Sequence, residues 1–309
     1  MKSSIAQYVK TAEESGRSFS EIVLESQAEE MGMSRGNVYL LMEKTFHEMK
    51  DALAQALKND RMSVSGLTGK DGKKLLERIQ NGQALGDGFL ETVAARALCI
   101  AELNACMGRI VAAPTAGSCG ILPAVLFTIM EHRGMEEDRG IMSLFTAAGV
   151  GKVIGENASI SGAQGGCQAE CGSAAAMAAA AAVELLGGTP EMCAHAAAIS
   201  LKSILGLVCD PVAGLVEVPC IKRNATGAVN AITAAQMALA GIRSVIPADE
   251  VVWAMNNIGN QLPPSLKESA EGGLAITPTA RGIEERLRDK SLDDILPGGE
   301  IEDIMETDG

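Results

Sequence analysis

Cys167, Cys209 and Cys220 stand 42 and then 11 positions apart, and no cysteine follows them down to Gly309. The first lies in GGCQAECG and the other two bracket CDPVAGLVEVPC, segments whose Gly and Pro residues bend the backbone. A bent backbone can turn three distant sulfurs toward one place. Structural zinc sites use short paired spacings and four ligands, and this pattern has neither. Three thiolates suit a cubane cluster in which the protein holds three irons and leaves the fourth open. An iron without a protein ligand is a Lewis acid. It can take a substrate carboxylate and hydroxyl and assist loss of that hydroxyl, so the spacing points to a hydro-lyase.

Neighbouring residues add to this. Cys171 follows Cys167 by one helical turn and shares its face if a helix begins near Gly166. A thiolate in that first turn meets the positive helix end, which lowers its pKa. Lys222 and Arg223 follow Cys220 directly, where positive charge favours a thiolate or binds a substrate carboxylate. The stretch APTAGSCGILPA, residues 113–124, is too rich in Pro and Gly for a regular helix to run through it. It reads either as a loop whose N–H groups hold a small anion or as a turn between helices capped by Ser118. SVSGLTGKDGKK, residues 63–74, fails the spacing of a phosphate loop and reads as a flexible connection near the substrate. Cys99 and Cys106 read as small buried hydrophobes, and His47 as an ordinary surface or packing residue. Cys193 and His195 are two apart and point to different helix faces.

The elements that position these residues read as helices throughout. Apolar residues make up 47 % of the chain but aromatic residues only 3 %, so the core is built from Ala, Leu, Ile, Val and Met. Small side chains favour close helix packing, and no alternating run is convincing as a strand. The expected architecture is all-α, one compact multi-helix domain over residues 1–290, followed by an acidic, disordered tail at 291–309. Capping-box spacing at Thr11 with Glu14 and at Ser18 with Glu21 marks two helix starts. Further helices are expected from Ser34, from Gly166 to a stop at Gly187-Gly188, after Pro190, and over 225–242. A net charge of −13 with no basic block argues against a nucleic-acid partner. The longest apolar run, residues 174–186, contains Glu184 and is too short to cross a bilayer, and the N-terminus lacks the apolar core of a signal peptide. A cytoplasmic protein with free or metal-bound thiols is therefore expected.

The segments APTAGSCGILPAV, SISGAQGGCQAE, LGLVCDPVAGLVEVPCIKRN and ESAEGGLA resemble the α chain of the bacterial iron–sulfur-dependent L-serine dehydratase, a likeness running over residues 20–285. The resemblance implies a [4Fe-4S] cluster on Cys167, Cys209 and Cys220, with Cys171 as a buried neighbour. It implies deamination of L-serine to pyruvate and ammonia. Thr115, Ser118, Ser159, Ser161 and Arg223 are the candidates for gripping the substrate carboxylate and amine. Single-chain members of the family carry a further domain and can end in a cysteine. This chain has neither, so it resembles the two-chain type and is expected to need a β chain, which could also supply the base for the Cα proton. The competing readings are an L-cysteine desulfidase of related fold and a non-catalytic iron–sulfur subunit.

Overall fold

The computed structural model of the chain describes residues 3–288. The expected acidic tail at 291–309 lies outside them. The helices are α1 (Ile5–Ser15), α2 (Phe19–Met31), α3 (Arg35–Lys58), α4 (Asp71–Gln80), α5 (Phe89–Ala105), α6 (Ile121–Arg133), α7 (Glu137–Asn157), α8 (Gly162–Gly165), α9 (Ser173–Leu185), α10 (Pro190–Lys202), α11 (Cys220–Leu239), α12 (Ala248–Gln261) and α13 (Pro278–Arg288). Among the described residues the only β pairing is an isolated parallel bridge between Cys209 and Lys267. The all-α expectation holds, in a single compact domain.

Helix α9 is the axis of the fold. Its sequence, SAAAMAAAAAVEL, is buried on every side from Ser173 to Val183. Helices α6, α7, α10 and α11 all pack against it. Only a helix of methyl-sized side chains can be surrounded this way, because neighbouring backbones then approach closely and lose no side-chain entropy. Alanine also has the highest helix propensity, so the element most deprived of solvent is intrinsically stable. Ser20 of α2 reaches in to donate to the Glu184 carboxylate at 2.7 Å.

The local signals sort into hits and corrections. Ser18 and Glu21 form the reciprocal capping box of α2. Thr11 and Glu14 do not start a helix: α1 begins earlier, capped by Ser4, whose hydroxyl accepts from the Gln7 N–H. Ser34 caps α3, and Thr189 caps α10 with Pro190 in its first turn. Helix α6 contains Pro123 although that residue was read as a breaker. It sits in the first turn, where no intrahelical N–H bond is lost. Likewise α11 begins at Cys220, five residues before the expected start, with Pro219 as its N-cap.

The stretch 63–74 is also more ordered than a flexible connection. Ser63 and Thr68 are buried, and the Ser65 and Thr68 hydroxyls donate to Glu217 at 2.8 and 2.7 Å. Helix α4 then starts at Asp71, where the Asp71 N–H donates to Glu102 of α5 at 2.7 Å. The stretch is thus pinned to the segment between Cys209 and Cys220.

The close packing of α9 predicts the cost of disturbing it. Ala178→Leu inserts a branched side chain where the native methyl has no exposure. It should destabilise the protein by about 1–3 kcal/mol or more. A lower urea midpoint at unchanged m-value is the expected result.

Candidate functional site

Three separate segments carry Cys167, Cys209 and Cys220, and three buried polar side chains tie them together. Cys167 lies between α8 and a π-helical turn over Gln168–Gly172 that leads into α9. A π turn is a strained insertion that recurs at functional sites. Gly166 precedes it with φ +77°, and a Cβ there would fall 2.9 Å from the Leu207 carbonyl oxygen, so glycine is required on both counts. Gln168 is fully buried, and its amide donates to Gly165 O and Met255 O at 2.9 and 3.0 Å. Its carbonyl accepts from Gly206 N at 2.9 Å. One side chain thereby joins the Cys167 turn, α12 and the approach to Cys209.

Cys209 is fixed by the parallel bridge: its N–H donates to Leu266 O at 2.9 Å and its carbonyl accepts from Glu268 N at 2.8 Å. Cys220 opens α11, and Asn224 lies one turn further on. The Asn224 amide donates to Cys220 O at 3.0 Å and Gly117 O at 2.7 Å, while its oxygen accepts from Gly120 N at 2.9 Å. That bond set docks the PTAGS loop onto the Cys220 helix.

Arg223 makes the third tie. It donates to Val208 O at 2.8 Å and to Asp210 Oδ1 at 2.9 Å, and its charge favours the Cys167 thiolate. Asp210 accepts at its other oxygen from Leu274 N at 2.8 Å. Lys222, the other cation beside Cys220, turns instead to Asp71 at the surface, at 3.0 Å.

All four thiols are buried. The Cys167 thiol is held below its ordinary pKa by a hydrogen bond from Cys171 and, secondarily, by Arg223, against the opposing effect of burial. The sequence expectation is helix-end charge; the causes found in the structure are these side-chain partners. For Cys220 the expectation reverses. Arg223 does favour its thiolate, but burial and the charges of Cys167 and Glu170 outweigh it and push the thiol up to about 12. Burial raises Cys209, and the interaction with Cys167, followed by burial, raises Cys171. Cys171 is a buried neighbour that donates to Cys167.

The candidate hydroxyls fall in two places on this site. Ser118 is fully buried and lies 3.1 Å from Thr115 Oγ1, which donates to Glu170 Oε1 at 2.9 Å. The loop 113–124 is thus a turn before α6, a 3₁₀ turn at Ala116–Ser118 stapled by Thr115 and Ser118, and it holds a carboxylate. Ser159 accepts from Ser161 N at 3.0 Å and donates to Gln164 at 2.8 Å, shaping the turn into α8. Gly162, the first residue of α8, meets the thiols directly. A Cβ there would lie 2.6 Å from Glu170 Oε2 and 3.0 Å from Cys209 Sγ.

Glu170 is the residue that the sequence reading passed over. It is half-buried, burial raises its pKa, and its charge acts on Cys167, Cys171, Cys209 and Cys220 alike. The signal available was a carboxylate three residues after Cys167, but its partners Thr115 and Gly162 come from other segments. None of the three histidines is at the site: His47 and His132 pack edge-on against phenylalanines, and His195 accepts from Ser244 N.

Among the described residues no three His, Cys, Asp or Glu side chains converge as a single bound ion requires. A cluster places each thiolate on a different iron, so its ligands stand further apart than those of one ion. The donor set suits that group. Three buried thiols come from three segments, close enough for their charges to act on one another, and the backbone edge beside Cys209 would be filled by any side chain larger than glycine.

Known proteins share this arrangement of sequence. A family model described as serine dehydratase alpha chain matches residues 14–275. A protein of Bacillus subtilis named "Probable L-serine dehydratase, alpha chain" is 48 % identical over 268 residues, covering 87 % of this chain and 89 % of that one. The "L-serine dehydratase, alpha chain" of Peptoniphilus asaccharolyticus is 49 % identical over 211 residues, 68 % of this chain and 72 % of that one. "L-serine dehydratase 1" of Escherichia coli is 46 % identical over 183 residues, which cover 58 % of this chain but 40 % of that protein. The chain belongs to the serine dehydratase alpha-chain family.

The buried ion pair generates a test. Arg223 is 16 % and Asp210 5 % exposed at the side chain, so Asp210→Ala strands a charge in the interior. A loss of about 3–5 kcal/mol is expected in chemical denaturation. Asp210→Asn, which keeps an acceptor for Leu274 N–H, should lose less.

Proposed function

We propose that this chain is the α chain of an L-serine dehydratase, a lyase that converts L-serine to pyruvate and ammonia with a [4Fe-4S] cluster on Cys167, Cys209 and Cys220. The observation that carries the reading is the gathering of these three thiols beside a glycine edge, in a chain of the serine dehydratase alpha-chain family. When bound, the cluster would supply an iron without a protein ligand, a Lewis acid for the substrate hydroxyl.

The chain's own residues supply position and shielding. Burial of the thiols under α9 and α11 keeps bulk water from the ligand sulfurs. Cys171 and Arg223 both favour the Cys167 thiolate, and neighbours of this kind tune a sulfur ligand. Thr115, Ser118, Ser159 and Ser161 bring hydroxyls to the two loops that face the thiols, and the N–H groups of Arg223 not already engaged are the grip for the substrate carboxylate. Loss of the Cα proton and the β-hydroxyl leaves an aminoacrylate. It tautomerises and takes up water, releasing ammonia and pyruvate. With no histidine at the site, the base for the Cα proton comes from a β chain, the partner that the naming of relatives as alpha chains supports.

Iron and acid-labile sulfide after strictly anaerobic purification test the reading, wild type beside Cys209→Ala. About four of each per wild-type chain are expected, with most lost in the variant. Pyruvate formation from L-serine in the presence of the β chain should follow the iron. Faster turnover of L-cysteine than of L-serine would move the assignment to a desulfidase. An iron-free wild type that folds normally would remove the cluster.

A further inference from the structure

Glu170 is a half-buried carboxylate with no salt-bridge partner among the described residues, and the nearby exposed Glu268 adds like charge rather than opposite. Asp210 is consumed by Arg223 and Leu274 N–H, and Glu217 by Ser65 and Thr68. Glu170 receives one hydrogen bond, from Thr115 to Oε1 at 2.9 Å. That bond orients the carboxylate and leaves Oε2 directed at the Gly162 edge, beside Cys209 Sγ. Gly117 opens the same carboxylate from the other side: a Cβ there would sit 3.3 Å from Oε1. Two glycines therefore bare a carboxylate that desolvation penalises and that no cation among the described residues neutralises. Arg223, whose charge acts on Cys167 and Cys220, is already engaged by Asp210 and Val208 O. A buried charge left unpaired by its own chain is matched when a ligand brings the opposite charge.

We propose that Glu170 is the acceptor for the α-ammonium group of the amino-acid substrate, and so the residue that selects 2-amino acids over amine-free hydroxy acids of the same shape. The assignment rests on the reading of the site as an amino-acid lyase. An ammonium has three N–H donors and no acceptor, and a carboxylate oriented by a neutral hydroxyl is its natural complement. Thr115 becomes a positioning residue, holding Oε1 so that Oε2 faces the substrate. The ammonium then lies on the Glu170 side and the carboxylate on the Arg223 side, which fixes the orientation of the bound amino acid.

Glu170→Gln tests this in the cluster-loaded enzyme with its β chain, because the amide keeps an acceptor for Thr115 and the shape while removing the charge. The KM for L-serine should rise on the order of 10- to 100-fold, with kcat within about twofold. The inhibition constant of 3-hydroxypropanoate, which is serine without its amine, should not change. Iron content equal to wild type verifies the site in the same sample. A fall in kcat at constant KM, or equal loss of affinity for both compounds, would overturn the proposal. Where Glu170→Gln fails to retain iron, Glu170→Asp replaces it. The shorter, charged side chain should bind serine more weakly yet leave 3-hydroxypropanoate untouched, and an unchanged preference between the two would again overturn the assignment. A wild-type enzyme that consumes no L-serine, but whose iron–sulfur absorption responds to amino acids and not to their amine-free analogues, would retain ammonium recognition and refute the reaction instead.

Discussion

The site depends on the buried contact between Arg223 and Asp210. One guanidinium acts on all three cysteine segments: its charge favours the Cys167 thiolate, it spans the residues on either side of Cys209, and it is carried three residues after Cys220 on α11. Two ions taken out of water repay their desolvation only when the remaining lone pairs and protons are also satisfied. Here they are. Asp210 spends its second oxygen on Leu274 N–H, and Arg223 spends another N–H on Val208 O. The pair therefore acts less as a source of net stability than as a register. It allows one relative placement of three loops whose sequence separation would otherwise leave them free to drift.

Around that pair the fold trades side-chain volume for approach distance. Helix α9 is almost entirely alanine, so α7, α10 and α11 come close to it and the loops at its N-terminal end meet in a small space. Gly162, Gly117 and Gly166 extend the same principle to the loops, each where a Cβ would strike a site residue or a carbonyl. Gln168 and Asn224 complete the accounting, since buried loop backbone must find hydrogen-bond partners that helices provide internally. Irregular backbone is tolerated inside this helical protein because long polar side chains stand in for secondary structure.

What the sequence made legible follows from which interactions are local. The helical character, the Ser18 capping box, the helix starts at Ser34 and Pro190 and the stop at Gly187 are decided within a few residues, and they were readable. The cysteine set was readable because its chemistry is rare and its flanking Gly and Pro are conspicuous. Tertiary decisions were not. Nothing near Thr11 shows that Ser4 takes the capping role with Asp249 of α12 held over the same helix end. Nothing in residues 63–74 shows that Glu217, 149 positions after Thr68, immobilises them. Glu170 escaped for the same reason, since a carboxylate on a helix start is ordinary until its partner 55 positions earlier and the glycine beside it are known. The Cys220 thiol was misjudged because adjacent charge is visible in a sequence and burial is not.

These charges also explain why the site is built from unequal thiols. Burial drives Cys209 and Cys220 toward the protonated form, while Cys171 and Arg223 keep Cys167 nearer the thiolate. A thiol must lose its proton to bind metal, so on the reading proposed above Cys167 would be the easiest to engage and the other two the costliest. Full burial of three thiolates beside Glu170 would leave one guanidinium, itself shared with Asp210, against several negative charges. Such a site is stable only when positive charge enters it. On the reading proposed above, a cluster would meet the thiolates and the ammonium of an amino acid would meet the carboxylate. On that reading one excess of negative charge, present once the thiols ionise, would account for both groups.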